Sequence, residues 1–135
     1  MSRRQQEQWA YLQDEARFVQ FIAASIYTAI GGERQRSREV QDQKYKAGLS
    51  KARGGQSQHQ KCKASDFEFF DETGAWLKVP EKRDYPTSED YLIAVEEHKA
   101  KIKPFGDHWE SLDPKNFWGG NIRGLYDPGH FERRD

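Results

Sequence analysis

The stretch Ala64 to Phe70 sets Asp66 and Glu68 in alternation with Phe67 and Phe69. A period of two is that of a β-strand, so this run predicts a strand with carboxylates on one face and aromatic rings in a core. Patterns of a longer period flank it. Trp9, Leu12, Ala16, Val19, Ile22, Ile26 and Ile30 recur in steps of three and four, which predicts one long amphipathic helix over about residues 3–30, stopped by Gly31 and Gly32. Ser37 is placed to cap a short helix with Val40 and Tyr45 inward, closed by Gly48. Residues 49–63 show no period and read as a loop. Thr87-x-x-Asp90 has capping-box form, and Tyr91, Leu92, Val95 and Ile102 follow at helical spacing until Pro104, where the run is expected to end. The tail is rich in Gly, Pro, Trp and Phe, and Gly129 to Glu132 reads as a short strand with His130 and Phe131 on opposite faces.

Composition narrows the function classes. A chain of 135 residues is one domain's worth. At this size it can bury about two-thirds of its unfolded surface. With 35% hydrophobic and 13% aromatic residues it can build a core despite a mean hydropathy of −1.09. Its 22 basic and 22 acidic residues cancel, without the basic excess of a nucleic-acid binder. The apolar stretch Phe18 to Ile30 is 13 residues long, short of the roughly 20 that span a bilayer, so no membrane insertion is expected. It also lies behind Asp14 and Glu15, which makes it a poor signal peptide and predicts a chain made in the cytoplasm. Cys62 has no second cysteine with which to form an intrachain disulfide. Arg3-Arg4 and Arg133-Arg134 read as solvated ends.

Potential metal donors are spread along the chain. Ser57-x-His59, Asp66 seven positions later, and Asp127-x-x-His130 supply two imidazoles, a carboxylate and a spare acid. Catalytic zinc takes three protein ligands, commonly nitrogen and oxygen, and keeps a position for water. A carboxylate that does not bind the metal can then take the proton from the attacking water. His59, Asp66 and His130 can converge only if the two strands that carry Asp66 and His130 are neighbours. Each piece also has a plainer reading: His59 as a surface histidine, Asp66 as a solvated strand residue, Asp127-Pro128-Gly129 as ordinary turn chemistry.

Taken together, the pieces resemble a known family. Ser57-x-His59-x-x-Cys62-x-Ala64-x-Asp66 is similar to the S-x-H-x-x-G-x-A-x-D motif of the zinc D-alanyl-D-alanine carboxypeptidases and dipeptidases and the phage L-alanyl-D-glutamate endopeptidases. Phe117-Trp118-Gly119-Gly120 and Asp127-x-x-His130-Phe131-Glu132 resemble the W-G-G and acid-x-x-H-F-E segments of that family. Gly32 to Arg36 and Tyr45-x-x-Gly48-Leu49-Ser50 resemble its arginine-bearing strand and the helix leading into the zinc loop, so the match spans about residues 30–132. The resemblance implies that His59, Asp66 and His130 bind Zn2+ and that Asp127 is the general base. It implies for Arg36 the cationic role near the scissile carbonyl or the substrate carboxylate, with Arg34 as competitor. Ser57 is then a polar group beside the ligands or against substrate, and Trp118, next to two glycines, a substrate-side residue.

Three departures accompany the match. Cys62 stands where the family usually has glycine, and His59-x-x-Cys62 is an alternative metal pair. The base is Asp where many members carry Glu, a trait of some phage members. His98 and His108 match no family ligand, so His98 is expected on a helix surface and His108 in packing beside Trp109. Trp109, Phe117 and Phe131 read as core and cleft wall.

The expectation is a single α+β catalytic domain over 1–135, with an N-terminal helix and a peptidase core over about 31–132. Helices pack on a small, mostly antiparallel sheet, with zinc in an open groove. The implied function is a monomeric peptidoglycan peptidase of phage or prophage origin, an endolysin that cuts the stem peptide at the L-Ala–D-Glu bond. Without a signal peptide it would wait in the host cytoplasm and reach the wall after another protein permeabilises the membrane. The alternatives are a D-Ala-D-Ala carboxypeptidase or dipeptidase with the same chemistry, and a catalytically silent zinc-binding module.

Overall fold

A computed structural model describes residues 1–31, 61 and 63–135. Helix α1 spans Arg3–Ala23, strand β1 Thr28–Gly31, strand β2 Ala64–Phe70, helix α2 Ser88–Leu112, strand β3 Asn116–Trp118 and strand β4 His130–Arg133. The sheet order is β1-β2-β4-β3, and every neighbouring pair is antiparallel. Both helices contribute to one core against the sheet. Tyr11, Phe18 and Ile22 from α1 and Ile102, Phe105 and Trp109 from α2 join Phe69, Trp118 and Phe131 from the strands. This is the expected α+β architecture.

The two predicted strands are present, β2 over the expected residues. The strand predicted at Gly129–Glu132 is found at His130–Arg133. Alternation sorts the side chains as the sequence implied. Ser65, Phe69 and Phe131 are buried on the helix side of the sheet, whereas Asp66 and His130, offset by one residue from those, belong to the opposite face.

Helix α1 begins as a capping box, with the Ser2 hydroxyl accepting from Gln5 N–H and the Gln5 side chain accepting from Ser2 N–H. It ends at Ala23, about two turns earlier than the periodicity suggested. The Ser25 hydroxyl donates to the Ile22 carbonyl at 2.7 Å and accepts from Tyr27 N–H at 3.1 Å, which diverts the backbone from the helical ladder. Residues 28–31 then pair with β2 as β1. Ile26 and Ile30 lie four apart, a spacing that serves a strand as well as a helix, and both are exposed. The inward stripe of α1 is also displaced from the expected one. Trp9, Leu12 and Val19 are exposed, and the buried face carries Tyr11, Asp14, Glu15, Phe18 and Ile22. The two acids on that face are accommodated by hydrogen bonds. Glu15 meets the Tyr11 and Ser65 hydroxyls, and Asp14 accepts from the Asn116 amide at 3.2 Å.

Helix α2 starts as predicted, with Thr87 Oγ1 accepting from Asp90 N–H at 3.1 Å. It does not stop at Pro104 but continues to Leu112. Pro104 removes one helical hydrogen bond, and it does so on a solvent-exposed turn. Burying Phe105 and Trp109 beyond it stabilises the continuation by about 1.5–3 kcal/mol each. Gly106 lies in this second half because a Cβ there would stand 2.1 Å from the Trp118 ring.

The last residues are not simply solvated, as expected for Arg133-Arg134. Arg133 is buried, with Nε 2.9 Å from Glu7 and Nη1 2.9 Å from Asp113 and 3.8 Å from Asp14. Arg134 is exposed and rests its guanidinium 3.6 Å above the Phe117 ring.

Candidate metal centre

Adjacency of β2 and β4 is the condition the metal reading set, and it is met. Asp66 and His130 are directly opposite each other in the antiparallel register. Asp66 Oδ1 and His130 Nδ1 are 3.1 Å apart. Two ligands of one tetrahedral zinc, each about 2.0–2.1 Å from the metal, stand about 3.3 Å from each other. The pair therefore fits two corners of such a site without rearrangement of the backbone.

Glu132 lies two residues along β4 on the same face, and its Oε1 is 3.6 Å from His130 Nε2. With carboxylates at both ring nitrogens, burial disfavours the imidazolium but the hydrogen bond to Asp66 and the negative charges of Asp66 and Glu132 outweigh it, raising the His130 pKa to about 9. Burial likewise works against the Glu132 charge, while His130 and Arg134 hold its carboxyl below the usual range. The Asp66 carboxylate only accepts, so Nδ1 carries the proton of this hydrogen bond, and a metal between the two side chains would take that proton's place. Sequence reading gave Glu132 only as part of a motif. Its signal was the i, i+2 spacing from His130 on a predicted strand.

Asp127 sits at the head of the turn into β4. Its N–H donates to the Gly119 carbonyl at 3.2 Å, and its own carbonyl accepts from His130 N–H at 3.2 Å. A Cβ at Gly119 would lie 2.1 Å from the Asp127 carbonyl oxygen, so glycine is what lets the turn rest on the end of β3. Trp118, expected on the substrate side, is buried in the core. Its side chain is 0% exposed, and its indole N–H donates to the Pro128 carbonyl at 2.8 Å. It supports the turn from beneath. Trp109 and Phe131 are core residues as expected, and the Trp109 indole N–H donates to the Glu132 carbonyl at 3.0 Å.

His98 departs from its expected surface position. It is 8% exposed and bonded through both nitrogens, to the Tyr126 hydroxyl at 2.7 Å and to the Leu77 carbonyl at 3.0 Å. His108 stacks on Phe21 with centroids 3.8 Å apart. His59, Ser57, Arg36, Arg34 and Cys62, with the helix expected after Ser37, lie outside the described residues. Among the described residues no three His, Cys, Asp or Glu side chains gather as a metal-binding group. Two of the three expected ligands are thus brought together.

No protein-family model matches the sequence, and no curated protein matches it. Among solved structures, the fold matches the crystal structure of the Serratia marcescens L-Ala D-Glu endopeptidase ChiX. The TM-score is 0.56 at 18% identity, over 98% of this chain and 86% of that one. The two chains share a fold. No helix among the described residues is long and apolar enough to cross a membrane.

Proposed function

We propose that the protein is a zinc-dependent peptidase of bacterial peptidoglycan that hydrolyses the stem peptide at the L-Ala–D-Glu bond. The observation that carries this reading is the cross-strand pair Asp66 and His130 at 3.1 Å, with Asp127 three residues ahead, on a fold shared with an L-Ala D-Glu endopeptidase. His59 would complete the ligand set. Zinc bound there supplies Lewis acidity towards water and the scissile carbonyl.

The remaining work falls to the chain's own groups. His130 gives up the proton that Asp66 and Glu132 otherwise hold on it, so metal uptake is coupled to proton release. Asp127 takes the proton of the attacking water and returns it to the departing amide nitrogen. Arg36 supplies positive charge to the carbonyl oxygen or to a substrate carboxylate. Neither Asp127 nor Arg36 is required by a site that only binds zinc, and their retention favours an enzyme. We assign the activity to a phage-type lysin that acts on the wall once the membrane has been permeabilised.

The test is digestion of Gram-negative peptidoglycan with and without a zinc chelator, read by mass spectrometry. Chelator-sensitive release that exposes a D-glutamate amino end is the expected product. Loss of a terminal D-alanine alone would replace the endopeptidase by a carboxypeptidase. Zinc-loaded protein without any chelator-sensitive product would refute the enzymatic reading.

A further inference from the structure

The turn that carries Asp127 is tied to the rest of the fold one residue at a time. Asp127 N–H is held by Gly119, the Pro128 carbonyl by Trp118, and the Gly129 carbonyl by Phe67 N–H at 2.8 Å. Tyr126 is held differently, by a side chain from helix α2. Upstream of it, Gly124 adopts φ +75° in a stretch outside any helix or strand. Behind the turn lies a cavity of about 80 Å³, lined by Trp76, Leu77, His98, Ile102, Pro128 and Gly129 among others. Side-chain packing does not fill that space, so the turn has room to shift unless hydrogen bonds fix it.

The hydrogen-bond directions at His98 follow from the partners. The Leu77 carbonyl only accepts, so Nε2 carries the proton and donates to it. In the neutral ring Nδ1 then accepts, and the Tyr126 hydroxyl donates. Burial keeps both groups in these forms, since it lowers the His98 pKa and raises that of Tyr126. The chain Leu77–His98–Tyr126 therefore links the segment after β2, the middle of α2 and the residue immediately before Asp127.

We infer that His98 and Tyr126 are positioning residues, a buried hydrogen-bonded strut that sets where the Asp127 carboxylate stands relative to the Asp66–His130 pair. Their catalytic consequence rests on the peptidase reading above, whereas their hold on the turn does not. Neither is a ligand, so their removal should leave metal affinity intact.

The experiment uses the full chain and Tyr126→Phe, which deletes one hydroxyl and keeps the ring. Amide exchange at Asp127 and His130, metal affinity, and kcat and KM are measured together. A base displaced by a fraction of an ångström predicts kcat lower by about tenfold with KM within about twofold. Exchange at the two amides should accelerate while zinc affinity and melting temperature stay near those of the parent. His98→Gln, whose amide can donate to Leu77 and accept from Tyr126, should retain slow exchange, and His98→Leu should match Tyr126→Phe. Unchanged exchange in Tyr126→Phe overturns the inference, as does equal behaviour of the Gln and Leu variants. Parallel loss of zinc affinity would reduce the pair to general structural support and also overturn it. If wild-type protein binds zinc and cleaves no wall peptide, the peptidase reading fails, and exchange alone then decides whether the strut holds the turn.

Discussion

Replacing Arg133 with Met tests whether the final strand is locked to the first helix by charge. In the parent, the buried guanidinium reaches Glu7 and Asp113 at 2.9 Å each and lies 3.8 Å from Asp14, whose side chain is 6% exposed. Methionine keeps most of the apolar stem and removes the cation, leaving three carboxylates facing one another. Breaking a buried ion pair from one side costs about 3–5 kcal/mol. Glu7 and Asp113 retain a quarter or more of their exposure and can recover some hydration, which brings the expected loss to about 3 kcal/mol. For a domain of this length that is a fall in melting temperature of about 10 °C. The acid limb gives an independent check. The Arg133 hydrogen bond holds Glu7 below the usual carboxylate range, and at Asp113 burial pushes upward but Arg133 overrides it. Carboxyls depressed in the folded state contribute stability above their unfolded pKa of about 4, and that stability is lost as pH falls through the folded value. Urea unfolding from pH 7 down to pH 3 should therefore show a shallower decline in Arg133→Met than in the parent. A loss under about 1 kcal/mol at pH 7 with an unchanged acid limb would show that solvent, not Arg133, supports these carboxylates.

Three further outcomes follow from the site. Asp127→Asn should retain zinc, measured by metal analysis after dialysis, and lose kcat by orders of magnitude; full activity would remove Asp127 from the base role. His130→Ala should lose zinc and activity together, and zinc retained at the parent level would break the ligand assignment. Gly119→Ala brings a methyl to 2.1 Å from the Asp127 carbonyl, so the turn must move, and activity should fall more steeply than thermal stability. Wild-type turnover in that variant would show that the turn has slack.

How much the sequence revealed depended on whether side-chain chemistry and spacing agreed. Strand β2 was legible because its charged and aromatic residues alternate cleanly, whereas the pairing of Asp66 with His130 stood only as a condition on the fold, since no local spacing sets which strands are neighbours. The inner face of α1 was hidden because Asp14 and Glu15 occupy it, and their hydroxyl and amide partners come from residues as distant as Ser65 and Asn116. A pattern read from hydrophobicity alone selects Trp9, Leu12 and Val19 instead, which are exposed. Pro104 misled for a related reason: the tertiary contacts of Phe105 and Trp109 outweigh a local break. The polar partners of His98 lie 21 and 28 positions away, at separations no local period encodes.

The register between β2 and β4 has a consequence for which wrongly folded forms can persist. A slip of one residue would set Phe131, not His130, against Asp66, turning an imidazole into the space between sheet and helices and a phenyl ring out to solvent. The same error would separate Asp66 from His130 and empty the centre of the core. Because both strands are interior to the sheet, neither can correct such a slip by sliding along a free edge. Core packing and the Asp66–His130 pair are in this way set by a single alignment, so a register error that scrambles the pair also spoils the core.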